Sequence, residues 1–329
     1  MTHIGLHDLK DLPIPSSIVL GKLVKQPNQL EQSCSICYSH LPLSSRHSRF
    51  PLWILTYWVE VSRLRQHVRQ PWASAELYLT VQRKRWKLEN IRKLCDAAHT
   101  ALLNLPWAGN VCGFEEPEPR TKLAAYLSQK WLSTSHIDQQ LDLLRMDVER
   151  SGQLTCEVVR QSFFHKVVEL YRDHEDKPYN KETSGARHLW TIGEELASGT
   201  CDKLCGVVNI DNSHWVGVVI DAFRSLVLYG DSLGGSDLEL KSAISWWIQC
   251  HTDRTFKHQH LPITTQVDGY NCSVLAINAI GSDALPWQIE LISALSHDEL
   301  RIATFNRIAN HDLEFVSVKL STVSMICLI

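Results

Sequence analysis

The chain has no uninterrupted apolar run of the roughly 18 residues a membrane-spanning helix needs, so no span is expected. It does not open on a basic segment followed by a long apolar core, so no secretory leader is expected either. Ten cysteines among 329 residues are too few for a disulfide scaffold. Net charge is small, at -3, which removes any global attraction to nucleic acid. These absences together point to an intracellular, reduced protein, nuclear or cytoplasmic, in which a free thiol survives. With 44% hydrophobic and 21% charged residues the bulk is globular, and the length suits one large domain or two ordinary ones. One residue type is in excess: eleven tryptophans suggest grooves or a channel as well as core.

The first 30 residues alternate apolar residues with Pro, Ser and Gly, and Pro13 and Pro15 argue against an early helix. Cys34-Ser-Ile-Cys37, with His40 and His47 beyond it, has two of the ligands a zinc site needs but no second pair at finger spacing. Two ordinary loop thiols are the simpler reading, and neither metal nor cofactor is expected. Apolar residues from Phe50 to Val68 recur every three or four positions, predicting an amphipathic helix that Pro71-Trp72 breaks. A second helical pattern covers 72–105, and the two suggest an α-hairpin. Arg83, Lys84, Arg85 and Lys87 cluster in it. They would suit a nucleic-acid or acidic-protein surface, although a solvated helix face explains them more simply. The Gly-, Pro- and Glu-rich stretch 105–119 marks a boundary. We therefore expect a helical accessory module over 1–115 and a second unit over 116–329.

In that second unit, helical spacing runs through 121–132. Ser133 or Ser135 caps a further helix with Ile137, Leu141 and Leu144 inward and Asp138 and Asp142 facing water. A short strand and a helix follow within 153–171, then a short helix over 189–200 ended by Gly199. From Leu204 the period changes. Residues 204–210, 215–221 and 225–230 are short, β-branched and closely connected, predicting an antiparallel sheet core. Residues 238–250 read as a helix, 261–265 as a final strand, 272–280 as a buried helix and 286–306 as helical. The tail 311–329 reads as an edge strand or a tucked extension.

Four residues stand at the ends of these elements: His214 before a strand, Asp231 after one, Gln266 in a polar turn, and Cys272 at the head of an apolar helix. A cysteine nucleophile needs a thiolate, which an imidazolium and a helix N-terminus favour. The imidazole needs its second nitrogen anchored, and a carboxylate does this. If strands two and three form a hairpin, residues 215 and 230 lie side by side and His214 meets Asp231. The oxyanion needs donors, and the Cys272 N–H and the Gln266 amide are candidates. Each residue alone has a plainer explanation: a core cysteine, a structural histidine, a common turn. The ordered combination favours catalysis.

These residues resemble the ubiquitin-like-protein-specific cysteine proteases, which process and remove SUMO. That family's pattern is His-Trp, Asp-Ser after a strand, then Gln-x-x-Gly-x-Asp-Cys-Gly. Here it reads His214-Trp215, Asp231-Ser232, then Gln266-Val-Asp-Gly-Tyr-Asn-Cys272-Ser273. Trp131-Leu-Ser-Thr-Ser-His-Ile-Asp is similar to an earlier signature of the family, and the likeness covers about 120–290. The chain departs from the pattern at Asn271, where Asp is usual, at Ser273, where Gly is usual, and at Thr134, where an acidic residue is common. None of these removes a catalytic group.

The resemblance implies an α+β, papain-like core: a central mixed sheet flanked by helices. It implies catalysis by Cys272, His214, Asp231 and Gln266. It also implies a narrow channel walled by Trp131 and Trp215, beside Gly269, that admits only a side-chain-free Gly-Gly tail. The partner would be a ubiquitin-like modifier and its conjugates, SUMO by default and ubiquitin as the alternative. A modifier-binding protein that kept the fold and lost the chemistry is a further alternative, favoured by Ser273 alone, as is a mobile-element protein with the basic helix on nucleic acid.

Overall fold

Why a sheet forms at all is clearest at Asp211 and Asn212, which take the left-handed conformation (φ 51° and 54°) that these side chains tolerate. The Ser213 N–H donates to the Ile210 carbonyl at 3.0 Å and closes the turn. Both central residues having positive φ gives the turn a twist that matches antiparallel strands. The computed structural model describes residues 14–25, 35–37, 49–106, 109–177, 179–183, 185–293 and 296–326. Cys34, His40 and His47 lie outside them, as does Pro13.

The chain divides into two units, residues 1–74 and 75–329. In the first unit, helix α1 (Ser17–Val24) starts on Ser16, and strands β1 (Ser35–Cys37) and β2 (Arg49–Pro51) pair antiparallel. Leu20, Phe50, Ile54 and Trp58 form its small core. Helix α2 (Trp53–Leu64) runs through a π-helical turn (Arg65–Arg69) into α3 (Gln70–Arg85). The helix expected to break at Pro71 therefore does not break. Proline lacks an N–H and clashes with the carbonyl four residues back. The widened turn just before it, in which the Gln70 N–H reaches the Arg65 carbonyl, absorbs the misfit.

The second unit is built on a five-stranded mixed sheet in the order β3-β4-β5-β6-β7. Strands β4 (Lys203–Ile210), β5 (His214–Asp221) and β6 (Leu226–Gly230) form the antiparallel centre. At the edges β3 (Cys156–Val158) and β7 (Lys257–His260) pair parallel to their neighbours. The last strand lies four residues before the expected 261–265. Its side chains are all exposed, so it carries no hydrophobic alternation and is held by its backbone to β6.

Helices cover both faces. On one, α6 (Ser162–Asp173), α7 (Arg187–Ser198) and α8 (Leu238–His251) bury Phe163, Phe164, Leu189, Ile244 and Trp247 against Val216, Val218 and Ile220. On the other, α5 (Thr134–Arg150) and α9 (Cys272–Ala284) bury Ile137, Leu141, Ala276 and Ile280 against Val207, Val219 and Leu228. Gly217 allows the α9 approach, because a Cβ there would lie 3.2 Å from the Ala276 carbonyl. Ser133 caps α5 as expected, and Gly199 ends α7 in the left-handed region.

Asp138 and Asp142 do not face water. They are 8% and 4% exposed and lie among Arg145, Arg160 and the 115–116 loop. Burial, only partly offset by the Gln161 N–H and Arg160, pushes the Asp138 carboxyl up to about 6. The helical stripe hid this, because a surface loop closes over the polar face.

Helix α4 (Glu89–Asn104) and the C-terminal helix α10 (His297–Ile326) complete the unit. The tail expected to be an edge strand is thus helical. Ile302, Phe305, Ile308, Ala309 and Asp312 recur at helical spacing on its buried side. Asn306 donates to the Leu94 carbonyl of α4. Asp312, wholly buried, takes a bidentate pair from Arg120 (2.6 and 2.9 Å) and the Cys112 N–H. Among the described residues no helix is long and apolar enough to cross a membrane.

Candidate active site

His214 is the first residue of β5, fixed immediately after the left-handed turn. Asp231 directly follows β6. The register pairs Gly217 with Gly230, so one further step sets Asp231 opposite Val216, not beside residue 214. His214 lies two residues along the same face and reaches diagonally. The contact survives this offset: His214 Nε2 donates to Asp231 Oδ1 at 2.7 Å. The same oxygen accepts the Leu233 N–H at 2.7 Å, which fixes the carboxylate. Gly235 must lack a side chain, since a Cβ would come within 2.6 Å of Asp231 Oδ2.

Cys272 opens α9 and is 1% exposed. Its thiol lies close enough to His214 to raise the imidazole pKa. With Nε2 committed to Asp231, Nδ1 is the nitrogen left for sulfur. Burial alone would lower the His214 pKa and is the largest single influence. Hydrogen bonds to Cys272 and Asp231, and the charges of both, outweigh it and raise the value. A thiol at a helix N-terminus, an imidazole and an anchored carboxylate are therefore in one connected line.

Gln266 is buried and tied to the Asp231 turn. Its N–H donates to the Ser232 carbonyl (2.8 Å), and Ser232 Oγ donates to its Oε1 (3.0 Å). Its amide Nε2 donates to the Asp268 carbonyl at 2.7 Å. The amide N–H thus serves the turn in this structure, although Gln266 is held between the Asp231 and Cys272 segments. Trp131 and Trp215 stack, with centroids 6.0 Å apart and planes at 30°. Trp215 is fully buried and its indole N–H has no partner among the described residues, whereas Trp131 is partly exposed. A peptide strand needs roughly 3.5–4 Å from each ring face, so this spacing holds nothing between the rings as they stand. Gly269 is exposed, and a Cβ there would meet nothing within 4 Å. The fold itself does not require glycine at that position.

Sequence reasoning missed the residues that hold the nucleophile turn. Asp268 Oδ1 accepts the N–H groups of Tyr270 and Asn271, both at 2.9 Å. Its Oδ2 accepts Asn271 Nδ2 at 2.8 Å and His297 Nδ1 at 3.2 Å. Burial works to raise the Asp268 pKa, but these donors together hold it below the usual range. Arg301, wholly buried, donates to Tyr270 O (3.2 Å) and Asn271 Oδ1 (3.3 Å). It also donates to Tyr126 O (3.1 Å), Ala125 O (2.5 Å) and Lys130 O (2.9 Å). Asp298 accepts the Tyr270 hydroxyl (3.2 Å) along with Gln82 and Arg85 of α3. The only local signal for Asp268 is the Asx-turn pattern over 268–271. His297, Asp298 and Arg301 are remote in sequence and carry no motif.

Of the four clustered basic residues, Arg83 pairs with Asp96 and Arg85 with Asp298. Among the described residues no group of three His, Cys, Asp or Glu side chains could hold a metal ion.

A thiol, an imidazole and a carboxylate over the junction of a mixed sheet and a helix make the arrangement of a papain-like cysteine protease. Residues 130–327 match the model of the Ulp1 protease family, C-terminal catalytic domain, and the chain belongs to that family. No curated protein matches the sequence. Among solved structures, the chain is similar to the SUMO protease Ulp1 with its catalytic cysteine oxidised to a sulfinic acid. Identity is 17%, over 67% of this chain and 95% of that one, with a TM-score of 0.51. The sulfonic acid form gives 16% identity, 66% and 94% coverage, and 0.51. A de-sumoylating protease gives 13%, 65% and 95%, and 0.50. At such identities the likeness establishes the fold: an α+β core with a mixed sheet and flanking helices.

Proposed function

We propose that the chain is a thiol isopeptidase and endopeptidase that cleaves after the C-terminal Gly-Gly of a ubiquitin-like modifier, SUMO by default. The observation that carries this reading is the connected line Cys272–His214–Asp231 beside the Trp131–Trp215 pair. Cys272 sulfur attacks the carbonyl of the last glycine, and the Cys272 N–H at the α9 N-terminus faces the developing oxyanion. The bond to the lysine nitrogen breaks, and His214 delivers its proton to the departing amine. Water, deprotonated by His214, then attacks the thioester, releasing the modifier carboxylate and restoring the thiol. Asp231 holds the imidazole and stabilises its cationic form. Trp131, the partly exposed ring, swings away from Trp215 to admit the glycines, and a side chain on either glycine would be refused. The open space over Gly269 lets the substrate backbone pass close to the turn.

Modifier probes with electrophilic C-termini test this reading. SUMO probes are expected to label the wild type at Cys272 and to leave Cys272→Ala unlabelled while still binding it. Labelling by ubiquitin probes alone would change the modifier. Labelling by none, with Cys272 still open to iodoacetamide, would favour a binding protein without turnover.

A further inference from the structure

The α9 N-terminus has no side-chain cap of the usual kind: Asn271 stands at the N-cap position, but its side chain makes no bond to the helix. That side chain is turned back instead, giving Nδ2 to Asp268 Oδ2 and receiving Arg301 Nη1 on Oδ1. Within the helix only the Leu275 N–H bond to the Asn271 carbonyl, at 3.1 Å, marks where it begins, and no side chain caps it. Three residues of the first two turns of α10 supply further constraint. His297 holds Asp268, Asp298 holds the Tyr270 hydroxyl, and Arg301 holds the Tyr270 carbonyl and Asn271. Arg301 simultaneously binds the Lys130 carbonyl, next to Trp131. One guanidinium thus spans the segment bearing the exposed tryptophan and the turn bearing the thiol.

We propose that the first two turns of α10 are a clamp that positions the Cys272 thiol, and that Asp268 and Asn271 are a matched acid–amide pair on which it closes. This deepens the reading of the site given above and rests on it for the reaction concerned. Asp268 and Arg301 are positioning residues, since neither reaches the reacting atoms except through residues 270–271.

The pair has a defined polarity. Asp268 offers only acceptors, and it receives two backbone N–H groups, the Asn271 amide and His297. Asn271 is the partner that must donate. A carboxylate at 271 would face Asp268 with two anions at hydrogen-bond distance, one of which must move or take a proton. Exchanging the two residues restores the match. The amide oxygen at 268 accepts the two backbone N–H groups, and its NH₂ donates to the carboxylate at 271. Arg301 then meets a charge instead of a neutral oxygen, which strengthens that bond. His297 adapts by changing tautomer and keeps the same number of hydrogen bonds, because its buried Nε2 has no partner among the described residues. The Asn271 departure from the family pattern is thus explained by the acid at 268, three residues earlier.

The test compares the full-length wild type with Asn271→Asp, Asp268→Asn and the exchange Asp268→Asn/Asn271→Asp. Two rates are read: steady-state hydrolysis of a SUMO C-terminal amide, and alkylation of Cys272 by iodoacetamide, which needs no modifier. Asn271→Asp is expected to lower kcat by roughly tenfold or more, with KM within about twofold, because the thiol is misplaced and the modifier grip is not. The exchange is expected to return kcat and the alkylation rate to within about threefold of wild type, by restoring the pairing. If Asn271→Asp does not fold, recovery of folding and activity in the exchange supports the pair, and an exchange variant that also fails to fold overturns it. Equal impairment of the single and the exchanged variants would overturn it, as would an unimpaired Asn271→Asp. If SUMO is not the substrate, hydrolysis is absent in all four proteins, and the alkylation rates alone decide the clamp.

Discussion

The two halves of the site are held in different ways. His214 and Asp231 stand on neighbouring strands of one antiparallel ladder, and backbone pairing fixes their spacing. Cys272 follows a turn with no ladder, residues 268–271, held by side chains from a helix that begins 25 residues after it. A ladder distributes its constraint over many equivalent bonds, so no single side chain is essential to it. A buried polar network concentrates the constraint: Arg301 serves five acceptors, and losing it would remove a donor from all five at once. Outside His214 and Asp231 themselves, the strand-borne half should therefore be robust to conservative change, and the turn-borne half should fail at a few named residues.

The largest effect expected is chemical and common to both halves. Cys272→Ala should abolish turnover, a loss of about a thousandfold or more, with modifier binding retained in a pull-down. Full activity would remove the mechanism. On the strand-borne half, Asp231→Asn should cost about a hundredfold or more in kcat. It should also lower the His214 pKa in an NMR titration, because it removes one of the partners that raise it.

The comparison itself is broken or sharpened by a pair of stability variants. Arg301→Met should destabilise by about 3 kcal/mol or more, since it leaves buried carbonyls without donors. Val219→Ala, at a fully buried position of β5, should cost about 2 kcal/mol in denaturant unfolding and leave the kcat of the folded fraction close to wild type. If Val219→Ala impaired kcat as severely as Asn271→Asp, the contrast between ladder and clamp would be lost.

The smallest effect concerns Asp138. Its folded pKa, about 6, lies above the ordinary 3.8, so the folded state binds the extra proton between these values and stability falls as pH rises through them. Asp138→Asn should therefore add roughly 1–3 kcal/mol at about pH 7 and nothing below about pH 4, as read by urea midpoints across pH.

Much of the site is legible in the linear chain. His214, Asp231 and Cys272 stand out because strand patterns end, and an apolar helix begins, beside chemically apt residues. The five central elements from β4 to α9, apart from the last strand, follow directly from period-2 and helical patterning. The departures have one source. β7 is an exposed edge without alternation, the 311–326 segment is a helix recruited by packing, and Asp138 and Asp142 are covered by a loop from elsewhere. Each depends on a neighbour distant in the chain. The two-residue offset between β5 and β6 has the same origin, since register is set by the whole ladder and by the turn between the strands.

The sequence by itself determined which groups can do chemistry and on which elements they ride, because thiol, imidazole and carboxylate are local identities and periodicity is a local property. It also displayed Asn271 as a departure, without a reason for it. The structure supplied the reason: the local turn brings Asp268 close enough to require a donor at 271, and Arg301, from the far end of the chain, binds both sides of the thiol turn. Hydrogen bonds such as those of Arg301 depend on distances of a few tenths of an ångström between segments far apart in sequence, and no pattern along one segment encodes them.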